Sequence, residues 1–122
     1  MSPPERSPRV FIVEDESLLV MLLEDLLPTL GYDVAGSAGS VDQALTDLAD
    51  AQIDVAVIDI NLAGTPSFPV ADALHARGVP FLFTTGYGPQ GLPERFADAQ
   101  VLAKPYRRQD IESALTRMCP RA

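Results

Sequence analysis

The sequence predicts an α/β protein built on one doubly wound, five-stranded parallel sheet of order 2-1-3-4-5. Three observations carry that prediction. Short apolar runs alternate with stretches of helical periodicity, strand first, from Arg9 to the end of the chain. One run, "DVAVID" at 54–59, is apolar almost throughout, as a central parallel strand covered on both faces must be. Four of the runs also end in an acid, a hydroxyl or an amine, and parallel sheets gather such ends at one edge. The length of 122 residues, 47% of them apolar, suits a single domain with a real core.

The first eight residues, "MSPPERSP", carry three prolines and little to bury. They read as a disordered arm, with residues 9–120 as the folded domain. "RVFIVED" is the first strand. The helix after it has Ser17 as its expected N-cap and Leu19, Leu22, Leu23, Leu26, Leu27 and Leu30 as its core face. Pro28 should loosen its last turn. "DVAGSA" is the second strand. Ser40 caps the second helix, which turns Val41, Ala44, Leu45 and Leu48 inward. The third strand ends in Asp59. A third helix starts near "SFPVADAL", with Pro69 in its first turn. "VPFLFTT" and "AQVLAK" are the fourth and fifth strands. "RQDIESALTRM" is the last helix and buries Ile111, Ala114, Leu115 and Met118. Between those two strands, "GPQGLPERFADAQ" holds two prolines and two glycines. It predicts a short or frayed fourth helix, around Pro93 to Phe96.

Charge and composition exclude several classes. A net charge of −8, from 9 basic and 17 acidic residues, argues against a nucleic-acid partner bound through a basic footprint. The single cysteine, Cys119, has no internal partner and fits a reducing compartment. No apolar run is long enough to cross a bilayer and no leader-like segment opens the chain. A cytoplasmic protein without a membrane partner is the reading.

The strand ends carry the chemistry. Glu14 and Asp15 close the first strand, Asp59 the third, Thr85 the fourth and Lys104 the fifth. In the flavodoxin-like strand order these ends converge. Three carboxylates brought together repel one another, and a hard divalent cation such as Mg²⁺ relieves that repulsion through oxygen ligands. One carboxylate can then attack phosphorus, while an ammonium and a hydroxyl meet the phosphoryl oxygens. Lys104 is the only lysine; the other eight basic residues are arginine. A compact ammonium suits a point contact with phosphate. Glu16 reads as a helix N-terminal acid, Thr84 as a strand residue and His75 as surface. Catalysis by Cys119 is not expected.

The set "VEDE", "VIDINL", "TTGYG" and "LAKPY" resembles the receiver domain of two-component response regulators, a CheY-like fold. "FLFTTGYG" and "SFPVADAL" look like the subgroup nicknamed FAT GUY, in which glycine follows the signalling threonine. The resemblance covers the chain beyond its N-terminal arm. It implies that Asp59 is the phosphoacceptor. It implies Mg²⁺ on Asp15, Glu14, Asp59 and the backbone carbonyl of Asn61, with Thr85 and Lys104 on the phosphoryl oxygens. It further implies a cis Lys104–Pro105 peptide. The implied donor is a histidine kinase or histidine phosphotransferase, docking on the first helix, where Leu18, Val20 and Met21 fall off the core face. The downstream protein is not named by the resemblance. Such a domain is a phosphoacceptor and not an enzyme on an external substrate.

The pattern departs from the usual one in three places. Val101 stands where an aromatic switch residue is usual, the loop after Asp59 reads "AGTPSFP", and the fourth helix is poor in helix formers. Switching is therefore expected in Thr85, Gly86 and Tyr87, where the two glycines beside the ring lower the cost of reorienting the backbone. The last helix ends close to Ala122, so a single-domain, monomeric protein acting through protein contacts is expected.

Other classes fit less well. A flavodoxin-like cofactor binder needs hydroxyls and glycines after the first strand, and "EDES" would repel phosphate. A haloacid-dehalogenase-like phosphatase expects an acid where Asn61 stands. A phosphorylation-independent binding module on the same fold remains the alternative.

Overall fold

In the structure, a computed structural model, residues 7–86 and 92–118 are described. Five strands, β1 (Arg9–Val13), β2 (Asp33–Ala38), β3 (Val55–Asp59), β6 (Phe81–Thr85) and β7 (Gln100–Ala103), form one sheet of order β2-β1-β3-β6-β7. Every pairing in it is parallel. This is the predicted 2-1-3-4-5 order of the long strands. Among the described residues four α-helices accompany the sheet: α1 (Ser17–Thr29), α2 (Val41–Asp50), α3 (Phe68–Ala76) and α4 (Arg108–Met118).

Alternation along the strands sorts the core into two layers. On one face Val10, Ile12, Val55, Val57 and Leu82 pack against Leu23, Leu27 and Leu30 of the α1 region and Ile111, Ala114 and Leu115 of α4. On the other, Phe11, Val13, Ala56, Ile58 and Phe83 pack against Ala44 and Leu48 of α2 and Val70, Ala71 and Leu74 of α3. β3 is buried along its whole length, as its apolar composition requires.

The helix ends follow local chemistry. Ser40 Oγ accepts the amide of Gln43 and caps α2. The "LLPTLGY" stretch closes α1: Tyr32 N donates to the Leu27 carbonyl and Gly31 N to the Pro28 carbonyl, with Gly31 at φ 93°. Leu27 and Tyr32 are both buried beneath that turn. At the other end, Glu16 and not Ser17 occupies the capping position, and its side chain makes no capping bond.

The α1 core face also differs from expectation. Leu22 is 48% exposed, while Val20 is half-buried against the inner cluster. The apolar surface of this helix is therefore Leu18, Met21 and Leu22, and Val20 does not belong to it. In a helix this rich in leucine several apolar stripes coexist, and packing on the sheet selects one of them.

The helix predicted between the fourth and fifth strands is, among the described residues, a 3-10 turn at Glu94–Phe96, as its composition foretold. Phe96 anchors it. Its ring stacks on Phe68 at 5.8 Å and meets Phe83 and Phe81 edge-on at 5.5 and 5.9 Å. Arg95 holds Asp72 of α3 through two bonds of 2.9 Å. An element the sequence did not announce is a small antiparallel hairpin, β4 (Asn61–Leu62) with β5 (Thr65–Pro66), directly after Asp59. Its two turn residues, Ala63 and Gly64, both have positive φ, 51° and 90°. Pro8 is tied to the sheet through its carbonyl, which accepts the Asp33 amide, and residues 1–6 lie outside the described residues.

Candidate functional site

The four strand ends do converge. Glu14, on the turn leaving β1, is fixed by its amide bond to the Ala38 carbonyl and is 4% exposed. Asp15 beside it is exposed. Asp59 ends β3 and is 6% exposed, and Thr85 ends β6 and is buried. Lys104 leaves β7 with its amide bonded to the Thr85 carbonyl at 2.8 Å, and the following Lys104–Pro105 peptide is cis, as the resemblance implies. Together with Glu16, Asn61, Ala63, Gly64 and Gly86 these groups line a cleft of about 360 Å³; Glu14 lies beneath it.

Carboxylate oxygens of Glu14, Asp15 and Asp59 lie within 4.8 Å of one another. Lys104 Nζ sits among them, 3.0 Å from Glu14 Oε1, 3.0 Å from Asp59 Oδ2 and 3.3 Å from Glu16 Oε1. The second oxygen of each buried acid meets a backbone donor. The Glu16 amide donates to Glu14 Oε2 at 3.2 Å, and the Asn61 amide to Asp59 Oδ1 at 3.3 Å. Asn61 Oδ1 in turn accepts the Gly64 amide at 2.7 Å, which ties the hairpin to the site.

The electrostatics follow from burial. Loss of water and the neighbouring Asp59 charge push the Glu14 carboxyl up to about 7, against the pull of Lys104 and the Glu16 amide. Burial alone would lower the Lys104 ammonium, yet its hydrogen bonds to Asp59 and Glu14 outweigh that and hold it above the usual lysine range. Burial and the Glu14 charge push the Tyr106 hydroxyl up to about 12.

Every predicted chemical residue but one is thus in the cleft or directly beneath it. Tyr87 lies outside the described residues. Val101 is half-buried against the core. The sequence reading missed Glu16 as a partner of Lys104. The only signal was a third acid in "EDE", which fits a helix N-terminus equally well. A larger groove, about 510 Å³, opens at the other ends of β6 and β7 around Phe81, Phe96 and Met118. It lies away from the acid cluster.

A parallel sheet of this order with an acid trio, a strand-end threonine and a lysine at its carboxyl edge is the architecture of a signalling receiver. The chain belongs to the response regulator receiver domain family, which matches residues 10–116, and so to two-component signalling. The solution structure of SdrG from Sphingomonas melonis Fr1 is similar, with 41% identity and a TM-score of 0.81 over 92% of this chain and 96% of that one. PdtaR of Mycobacterium tuberculosis H37Rv is 30% identical over 112 residues, 88% of this chain and 54% of PdtaR. PhyR of Methylorubrum extorquens is 30% identical over 116 residues, 88% of this chain and 42% of PhyR. The chain spans about half the length of the curated relatives it matches. Among the described residues no helix is long and apolar enough to cross a membrane.

Proposed function

We propose that Asp59 accepts a phosphoryl group from a phosphohistidine of a kinase or phosphotransferase. An Asp59 carboxylate oxygen forms the new bond to phosphorus as the phosphorus–nitrogen bond of the donor breaks, and the departing imidazole takes up a proton. Lys104 and the Thr85 hydroxyl hold the phosphoryl oxygens. The Asn61 amide, donating to Asp59 Oδ1, helps keep Asp59 aimed into the cleft.

The donor set fits Mg²⁺: three carboxylates within 4.8 Å at the carboxyl edge of the sheet, one of them exposed to exchange with water. Glu14, Asp15, Asp59 and the Asn61 carbonyl would hold it. When bound, it offsets negative charge on the carboxylates and on the incoming phosphoryl oxygens. The protein acts as a phosphoacceptor and signals through protein contacts, in the cytoplasm, without turning over an external substrate. Its folded domain is taken as residues 9–120, monomeric, behind an arm over residues 1–8.

The observation that carries this reading is the 3.0 Å pair of Lys104 Nζ and Asp59 Oδ2 in a cleft lined by Thr85. The test is incubation with acetyl phosphate and Mg²⁺, followed by intact-protein mass measurement. Wild type should gain one phosphoryl group and Asp59→Ala none. Equal gain in both would remove Asp59 from the role, and no gain in wild type from acetyl phosphate or a phosphohistidine donor would favour a phosphorylation-independent binding module.

A further inference from the structure

Lys104 has three ammonium donors and three carboxylate partners. Two of the partners, Glu14 and Asp59, belong to the trio that converges within 4.8 Å; Glu16 does not. A hard cation drawing on that trio competes with Lys104 for the same oxygens. Glu14 and Asp59 have little room to turn aside, since their side chains are 3% and 7% exposed and their second oxygens accept backbone amides. Lys104, on a flexible four-carbon stem, is the group that can give way. Glu16, 61% exposed and outside the trio, is the acid that can follow it.

We infer that Glu16 is a positioning residue for Lys104: it keeps the ammonium at the mouth of the cleft while a divalent cation takes Glu14 and Asp59. This rests on the metal-dependent reading of the site above. The Glu16 backbone has its own work, donating to Glu14 and accepting the Leu19 and Val20 amides. Its side chain makes no capping bond for α1. Glu16→Gln therefore removes the charge and leaves the backbone contacts. Without Glu16 the displaced ammonium would be left to water, and Lys104 would release Glu14 and Asp59 less readily.

Lys104 is the only lysine in the chain, so ¹⁵Nζ-lysine labelling gives a one-signal spectrum. The probe is Mg²⁺ alone, titrated into metal-free protein. In wild type the Nζ signal should shift and keep slowly exchanging ammonium protons. In Glu16→Gln, proton exchange in the presence of Mg²⁺ should speed up at least about three-fold, and Mg²⁺ should bind about two- to five-fold more weakly, the range of an exposed ion pair. The same substitution in a Lys104→Met background should change Mg²⁺ affinity less, because only the remote charge effect is left. Identical ammonium exchange in wild type and Glu16→Gln, or an equal affinity change in both backgrounds, overturns the inference alone. A wild type indifferent to Mg²⁺ overturns the metal reading and this inference with it, while the acetyl phosphate experiment on Asp59→Ala judges the phosphoacceptor role separately.

Discussion

Lys104 and Asp59 stand 45 positions apart in sequence and 3.0 Å apart in space, Nζ to Oδ2. The same ammonium lies 3.0 Å from Glu14, so one cation offsets two carboxylates that folding has taken out of water. Without it, burying the two acids this close would cost stability or force one of them to keep its proton. The pair therefore has two uses: it offsets the repulsion between the two acids, and it keeps a positive charge beside the atom proposed to receive the phosphoryl group.

Lys104→Met should expose the first use. Two buried acids lose their counter-charge, and the metal-free protein should lose about 1–3 kcal/mol of stability at neutral pH. Mg²⁺ should then restore more stability to the variant than it adds to wild type, because it no longer competes with an ammonium. Urea denaturation with and without Mg²⁺ measures both. Equal Mg²⁺ gains in the two proteins would contradict the competition.

The Glu14 carboxyl sets a pH dependence. Its folded value, about 7, lies above the ordinary 4.5. The folded protein therefore holds a proton that the unfolded chain has released, and metal-free stability should fall as pH rises from about 4.5 to 7 and then level off. Asp72, lowered by its bonds to Arg95, and Asp110, lowered by the Arg107 amide, act in the opposite sense and only as pH drops below their ordinary 3.8. Mg²⁺ should flatten the slope by favouring the carboxylate. Chemical denaturation between pH 5 and 7.5 tests this, and rising metal-free stability across that window would be the wrong sign.

Leu18, Met21 and Leu22 form the exposed apolar surface of α1, the helix that begins one residue after Glu16 of the cleft. Leu18→Ser with Met21→Ser should slow phosphoryl transfer from a phosphohistidine protein about ten-fold or more, the loss of two buried contacts at an interface. Uptake from acetyl phosphate should be unchanged, since a small donor needs no docking surface. Parallel loss with both donors would place the defect in the fold or the chemistry instead.

Gly64 carries the turn of the β4–β5 hairpin at φ 90°, and a Cβ there would meet nothing within 4 Å. Gly64→Ala should therefore cost about 1 kcal/mol through backbone strain alone. The loss should come with a weaker hold on Asn61, whose Oδ1 accepts the Gly64 amide. Thermal denaturation and the Asn61 side-chain amide signals report the two effects. A neutral substitution would mean that the turn adapts without strain.

Much of this protein is legible before folding. The order of elements follows from periodicity, and Pro28 marks the last turn of α1, while the closing bonds from Gly31 and Tyr32 emerged only in the structure. The collapse of the fourth helix into a 3-10 turn follows from its prolines and glycines. Asp59, Thr85 and Lys104 were readable because a parallel sheet gathers its strand ends. The phase of α1 was not readable. Leu22 and Val20 are both plausible core residues on a leucine-rich helix, and only the surface of β1 and β3 beneath them separates one from the other.

Periodicity and composition were enough to place the long strands, the helices and the inventory of reactive groups, though not the N-cap of α1 or the β4–β5 hairpin. What each acid became was settled by packing. Glu14 and Asp15 are adjacent, yet one is buried with a raised proton affinity and the other is open to water. Glu16 entered the site only when the end of β7 brought Lys104 to it across 88 positions. Desolvation and charge pairing act through space and fall off within a few ångströms, so their outcome rests on packing that no stretch of sequence contains.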